Sequence, residues 1–200
     1  MIKIIHRVNR AEELGKIPVE YGVEIDVRNH GEKLVLNHEP FEEGESFEEY
    51  CKNYRHAFMI INIKTEGIEE SISEVISRYG IKDYFWLDLT FPSIVKLAGK
   101  GEKNIAVRFS EYEPIESCLA LRGMVDWVWV DTFTKLPLDK VSYKRLRDAG
   151  FRICLVCPER WGRPEDIPKY IEYLRSNKIE IDAVMTSAKY AGAWNEETAK

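Results

Sequence analysis

Residues 19–40 read VEYGVEIDVRNHGEKLVLNHEP, and the rest of the chain takes its meaning from this stretch. Val23, Ile25 and Val27 alternate with Glu24 and Asp26, which is the period of a strand. Successive strand side chains point to opposite faces. The two carboxylates therefore share one face, about 6.5–7 Å apart at ~3.3 Å per residue. Two like charges on one face repel unless a cation lies between them, and hard divalent cations take such oxygen ligands. The plainer reading of the same spacing is a solvated strand face. His30-Gly31-Glu32 reads as a turn and residues 33–39, KLVLNHE, as the strand returning from it. That hairpin lifts His38 over the end of the strand that bears Glu24 and Asp26.

Upstream, IKII is a short continuous apolar run, as expected of a strand buried on both sides, and His6 and Arg7 follow it directly. Residues 1–38 thus gather two imidazoles, two carboxylates and a guanidinium. Arg7 suits phosphate through its planar fork, or pairs with Asp26. The chemistry these groups suit is metal-assisted attack on a phosphoester.

Downstream, apolar strand patterns alternate with amphipathic helix patterns. Residues 44–54, GESFEEYCKNY, read as a helix capped by Ser46 with Glu49 three residues on. AFMIINIK is a strand, and Ile68, Ile72, Val75 and Ile76 mark the helix after it, closed by Gly80. DYFWLDLT, NIAVRFSEYEP, VDWVWVDTF, FRICLVCPE and IDAVMTS are the later strands. FPSIVKLAGKG, PIESCLALRG, LDKVSYKRLRDAG and RPEDIPKYIEYLRSNKIE are the helices between them. The tail is expected to fray after Trp194.

Eight βα units in 200 residues, about 25 each, predict a parallel sheet and an α/β fold: a compact single-domain TIM (β/α)8 barrel over residues 1–200. An open doubly wound sheet is the runner-up. Barrel active sites lie at the C-terminal ends of the strands. The polar residues there are His6, Arg7, Glu24, Asp26, Asn62, Lys64, Asp88, Arg108, Asp131, Glu159, Thr186 and Ser187. Arg108 sits among apolar neighbours and requires an anion, either a substrate phosphate or an internal carboxylate such as Asp131 or Asp88. His30 and His56 read as surface or loop residues, and Trp86, Trp127 and Trp129 as core.

His-Arg after the first strand, Glu-x-Asp in the second and a His after a hairpin together resemble the glycerophosphodiester phosphodiesterases. That family's wider superfamily includes the phosphatidylinositol-specific phospholipases C and the spider-venom sphingomyelinases D. The resemblance implies that His6 and His38 form a general acid–base pair and that Glu24 and Asp26 hold one divalent metal ion, Mg2+ or Ca2+. It gives Arg7 a phosphate oxygen and puts Asn62 and Lys64 where the family has an acid-x-Lys. Asn62 is then the third metal ligand, and Arg7, Lys64 and Arg108 bind substrate. The implied reaction is hydrolysis of a small glycerophosphodiester-like substrate, with a neighbouring hydroxyl as nucleophile and a cyclic phosphate before water opens it. The chain departs from the pattern at Val8 (usually Gly), Glu39 (usually Asp) and Asn62 (usually an acid). The alternatives are a catalytically degenerate barrel binding a phosphorylated ligand or a partner protein, and a lyase or isomerase using Lys64 as base.

The composition, 44% hydrophobic and 32% charged, is that of a globular chain. A net charge of −5 argues against a broad nucleic-acid surface. No apolar run reaches the ~20 residues of a membrane span, and MIKIIHRVN lacks a signal-peptide apolar region, so a cytoplasmic protein is expected. Cys154-x-x-Cys157 lies in a strand pattern without a second pair, so all four cysteines are expected to be reduced and buried.

Overall fold

The computed structural model describes residues 1–195, which fall into two compact units, 4–96 and 1–3 with 97–195. The first half of the chain runs β1 (Ile2–Ile5), α1 (Ala11–Leu14), β2 (Gly22–His30), β3 (Lys33–Leu36), β4 (Glu45–Ser46), α2 (Phe47–Asn53), β5 (Phe58–Ile63), α3 (Glu69–Arg78), β6 (Tyr84–Leu87) and α4 (Phe91–Gly99). The second half runs β7 (Ala106–Phe109), α5 (Ile115–Leu119), β8 (Trp127–Val130), α6 (Lys140–Asp148), β9 (Arg152–Val156), α7 (Ile167–Ser176) and β10 (Ala183–Thr186). Short 3-10 turns at Pro158–Trp161, Pro164–Asp166 and Ala191–Trp194 complete it.

In the unit 4–96, β1, β2, β5 and β6 form parallel ladders in that order. The hairpin strands β3 and β4 run antiparallel off β2. The registers decide what the strands present together. Ile4 pairs with Gly22, Asp26 with Asn62, and Asn62 with Leu87. All six residues of β5 are buried, as are Gly22–Arg28 of β2, the mark of parallel strands covered on both faces. Phe47 and Tyr50 of α2 and Ile72 and Ile76 of α3 are buried in the same unit. Ser46 caps α2 as its sequence predicts, accepting from the Glu49 N–H at 3.4 Å.

In the other unit, β7, β8, β9 and β10 form parallel ladders in chain order, and the Ile2 N–H donates to the Asp182 carbonyl at 2.8 Å. Trp127, Val128, Ile153, Cys154, Leu155 and Val184 are fully buried in its core. Asp139 caps α6, with its carboxylate accepting from the Ser142 N–H at 2.7 Å. Cys51, Cys118, Cys154 and Cys157 are all free and buried.

The structure corrects the sequence reading in places. Most strands are shorter than their apolar text: DYFWLDLT yields only Tyr84–Leu87 and NIAVRFSEYEP only Ala106–Phe109. Pairing stops where the chain must turn toward the next helix. His56, read as surface or loop, is buried at 8% exposure, and its Nε2 meets the Ile17 carbonyl at 3.1 Å. The one-turn helix α1 has no apolar periodicity and was not anticipated. The expected fraying after Trp194 falls largely on residues 196–200, outside the described residues.

Gly22 has a packing role. A Cβ there would lie 2.9 Å from both Ile4 Cγ1 and the Phe58 carbonyl oxygen. Gly22→Ala is therefore expected to destabilise the protein by about 1–3 kcal/mol, because backbone on one side cannot yield. Urea denaturation checks this; an unchanged midpoint would show that β1 and β5 separate freely.

Candidate active site

The site is built on β2. Glu24 and Asp26 point to one face and are each 1% exposed. The β1–β2 register brings the residues after β1 alongside Glu24. The Arg7 N–H donates to Glu24 Oε2 at 2.8 Å and the Val8 N–H to the Glu24 carbonyl at 2.9 Å. Arg7 takes a left-handed backbone conformation, φ 55°, which is uncommon for a non-glycine residue and turns its N–H inward. His6 Nε2 lies 3.8 Å from Glu24 Oε2, outside hydrogen-bond range, with its side chain only 15% exposed.

Asp26 is surrounded by donors. Asn9 and Asp26 exchange two bonds: Asn9 Nδ2 to Asp26 Oδ2, and the Asp26 N–H to Asn9 Oδ1, both at 2.9 Å. Arg7 Nε lies 3.6 Å from Asp26 Oδ2, and Lys64 Nζ 3.2 Å from Asp26 Oδ1. Lys64 also stands 3.9 Å from Asp88, another non-glycine residue with positive φ, 60°. Such conformations are found where neighbouring structure enforces them, often at functional sites.

Asn62 joins this group through the β2–β5 register. Its Nδ2 donates to Glu24 Oε1 at 2.9 Å, while its Oδ1 is buried without a hydrogen-bond partner. Asp26 Oδ1 is likewise buried and accepts no aligned hydrogen bond. Burial, chiefly, and then the charge of Asp26 push the Glu24 carboxyl up to about 7. The bonds from Asn62 and Arg7 and the charge of Lys64 pull the other way and do not offset it.

His38 follows the hairpin. The Asn37 N–H donates to the Asp26 carbonyl at 3.1 Å, which fixes the next residue beside the end of β2. His38 Nδ1 is 2.6 Å from Glu39 Oε1, and this contact holds the Glu39 carboxyl below its usual range. With Nδ1 taken up by the carboxylate, Nε2 is the ring nitrogen left for another contact.

Arg108 belongs to the other unit, where it is tied down. Its Nη1 donates to Asp131 Oδ2 at 2.7 Å. Asp131 also accepts from Trp129 Nε1, the Thr132 N–H and Trp161 Nε1 at 2.8–3.1 Å. Glu159, Thr186 and Ser187 bond one another there, through Thr186 Oγ1 at 3.1 Å and the Ser187 N–H at 2.7 Å to Glu159 Oε1.

The sequence reading missed two residues, Asn9 and Arg28. Asn9 carries no periodic signal. Arg28 does: it continues the i, i+2, i+4 alternation of Glu24 and Asp26 on the same face.

Three oxygen-bearing side chains, Glu24, Asp26 and Asn62, thus lie together. Among the described residues no group of three or more His, Cys, Asp and Glu converges. The set still fits a hard cation. Its ligands are all oxygens, and two buried ones lack hydrogen-bond partners.

No protein-family model matches the sequence, and no curated protein does. Solved structures do. A glycerophosphodiester phosphodiesterase of Agrobacterium tumefaciens is similar over 96% of this chain and 100% of its own, with a TM-score of 0.69 at 13% identity. The corresponding enzyme of Thermotoga maritima is similar over 93% and 94%, with a TM-score of 0.62 at 19% identity. A glycerophosphoryl diester phosphodiesterase of Parabacteroides distasonis covers 98% and 86%, with a TM-score of 0.65 at 11% identity. The fold class is accordingly α/β, the TIM barrel. More particularly, it is the fold of these glycerophosphodiester phosphodiesterases, carried by a sequence only 11–19% identical to theirs.

The raised Glu24 carboxyl makes two quantities pH-dependent. The folded chain keeps this proton up to about pH 7, while an unfolded glutamate loses it near 4.5. The folded state therefore binds more protons in that window, and stability from this group falls as pH rises through it. In EDTA, the difference in melting temperature between the parent and Glu24→Gln should shift in that direction from pH 5 to 8. A difference independent of pH would place the proton elsewhere. A divalent cation must displace the same proton. Calorimetric affinity for Ca2+ or Mg2+ should therefore rise roughly tenfold per pH unit below 7 and level off above it.

Proposed function

We propose that the protein is a metal-dependent phosphodiester hydrolase acting on a small glycerophosphodiester-like substrate. One observation carries this reading. Two buried carboxylates on β2 and an unpartnered amide oxygen on the paired strand β5 come together, with Arg7 and Lys64 beside them and His6 at their edge. Its likeness in fold to glycerophosphodiester phosphodiesterases supports the same chemistry.

Glu24, Asp26 and Asn62 hold the cation, Mg2+ or Ca2+. When bound, such an ion polarises the phosphoryl oxygens and neutralises charge developing at phosphorus. The chain's own groups do the rest. Arg7 and Lys64 hold the non-bridging oxygens and orient phosphorus for in-line attack. One of His6 and His38 accepts the proton of the attacking hydroxyl, and the other donates a proton to the leaving alkoxide. Glu39 holds the His38 ring through its contact at Nδ1. Glu24 Oε2 stands 3.8 Å from Nε2 of the other imidazole, His6. Residues 28–57 leave little room for a pocket-building insertion, which favours a small diester over a lipid.

The rival reading, a degenerate barrel that binds a phosphorylated ligand without cleaving it, draws on Asn62. This residue brings a ligand oxygen but no charge, so it weakens the hold on a cation.

The test is hydrolysis of bis(p-nitrophenyl) phosphate and glycerophosphodiesters with Mg2+, Ca2+, Mn2+ or EDTA. Activity should require metal, follow a bell-shaped pH profile, and fall about 10²–10⁴-fold in both His6→Ala and His38→Ala. Full activity in either variant would remove that histidine from the mechanism. Asn62→Asp should tighten Ca2+ binding in calorimetry; unchanged affinity would exclude residue 62 from the ligand set.

A further inference from the structure

Arg28 is the one cation of the β2 face that the catalytic reading does not use. It is 8% exposed. Its guanidinium carries five N–H donors. Nε and Nη1 are buried without a hydrogen-bond partner, and Nη2 makes a single long bond, 3.4 Å, to the Lys64 carbonyl. Among the described residues no carboxylate comes within ion-pair distance of it. Glu39 feels its charge but is already hydrogen-bonded to His38. A guanidinium withdrawn from water with most donors unmet is costly, and an anion is the group that satisfies it.

The backbone says where that anion lies. Arg28 stands two residues beyond Asp26 on the same face, about 7 Å further toward the strand's C-terminal end. The bond to the Lys64 carbonyl keeps the guanidinium there. Lys64 N–H pairs with the Val27 carbonyl at 2.9 Å, so residue 64 lies next to Arg28 in the ladder. Lys64's own side chain turns the opposite way, to Asp26. A phosphodiester held at Glu24, Asp26 and Lys64 does not extend so far with its phosphorus-bound oxygens alone.

We propose that Arg28 binds a second anionic group of the substrate, a carboxylate or phosphomonoester on the alcohol esterified to the scissile phosphate. The position of the scissile phosphate rests on the diesterase reading; the anion subsite rests on Arg28 itself. Planar, bidentate recognition is what a buried guanidinium offers such groups.

Three glycerol phosphodiesters test it, with glycolate, glycerol phosphate or plain glycerol as the second alcohol. They are titrated calorimetrically with Ca2+ into the full chain carrying His6→Ala, which suppresses turnover. The two charged probes should bind roughly 10- to 100-fold tighter than the neutral one, the effect of a charge-assisted contact. Adding Arg28→Gln should collapse that preference, and Arg28→Lys, which keeps the charge and loses the fork, should retain part of it. The stronger of the two charged probes identifies which anion the subsite takes. Melting the Arg28→Gln protein separates a binding role from a structural one. Loss of an unpaired buried charge leaves its melting temperature equal or higher, whereas loss of a scaffold contact lowers it. Equal binding of all three probes, or a preference that survives Arg28→Gln, would overturn the proposal. A preference intact in a protein that cleaves no diester would sink the diesterase reading and leave the subsite standing.

Discussion

The structure of the unit 4–96 turns on two carboxylates that burial would not tolerate alone. Glu24 and Asp26 face the same side of a strand at about 7 Å, a repulsion of about 2 kcal/mol at an effective dielectric near 20. Loss of water is the larger penalty, and it leads the causes that raise Glu24 to about 7. Every neighbouring element answers it. The turn after β1 brings the Arg7 N–H and Asn9, β5 brings Asn62, and the residue after β5 brings the Lys64 ammonium. These answers offset part of the cost. Two buried oxygens stay without a hydrogen-bond partner, and they belong to Asp26 and Asn62, which are ladder partners.

An arrangement of this kind is poor for stability and suited to binding. The positive φ at Arg7 and Asp88, the high carboxyl of Glu24 and the unmet donors of Arg28 all occur at or next to the ends of β1, β2 and β6. The apolar strands supply the compensation: β5 and most of β2 are buried along their length, and Phe47, Tyr50 and Ile72 are fully buried in the same unit. Natural sites keep local strain of this sort where a ligand relieves it. The polar residues of the other unit differ. Asp131 accepts four donors and Glu159 bonds the end of β10, so their hydrogen-bonding capacity is spent internally.

Asn62 marks where this chain departs from a fully charged oxygen site. In the proposed cation site, two formal charges instead of three would lower the attraction for a divalent ion and leave Lys64 and Arg7 more influence over Asp26. The same substitution explains how Glu24 is partly stabilised in the absence of an ion, since the amide donates to it directly. An acid at position 62 has no N–H to give and would have added repulsion. Glu39 is a milder departure: one methylene longer than Asp, it still reaches His38.

Alternation by itself placed Glu24 and Asp26 on one face, and the order of apolar runs gave eight βα units. Both follow from periods of 2 and 3.6 residues, which are local properties of the chain. The ends of the strands were legible only coarsely, because pairing ends where a neighbour does and not where the apolar text stops. His56, read as a surface or loop residue, does lie in a loop but is buried there, and its partner, the Ile17 carbonyl, is distant in sequence. Arg28 sat in the same alternation as Glu24 and Asp26, yet nothing local says that its donors go unmet. Which residues hydrogen-bond across strands depends on register: Asn62 stands beside Asp26 because β2 and β5 pair there, and Arg7 reaches Glu24 because β1 ends there. The sequence determined the strands, their faces and the chemical types at their ends. Only the tertiary structure decided which of those groups are satisfied and which are left open to bind, because satisfaction is a property of neighbours brought together by packing.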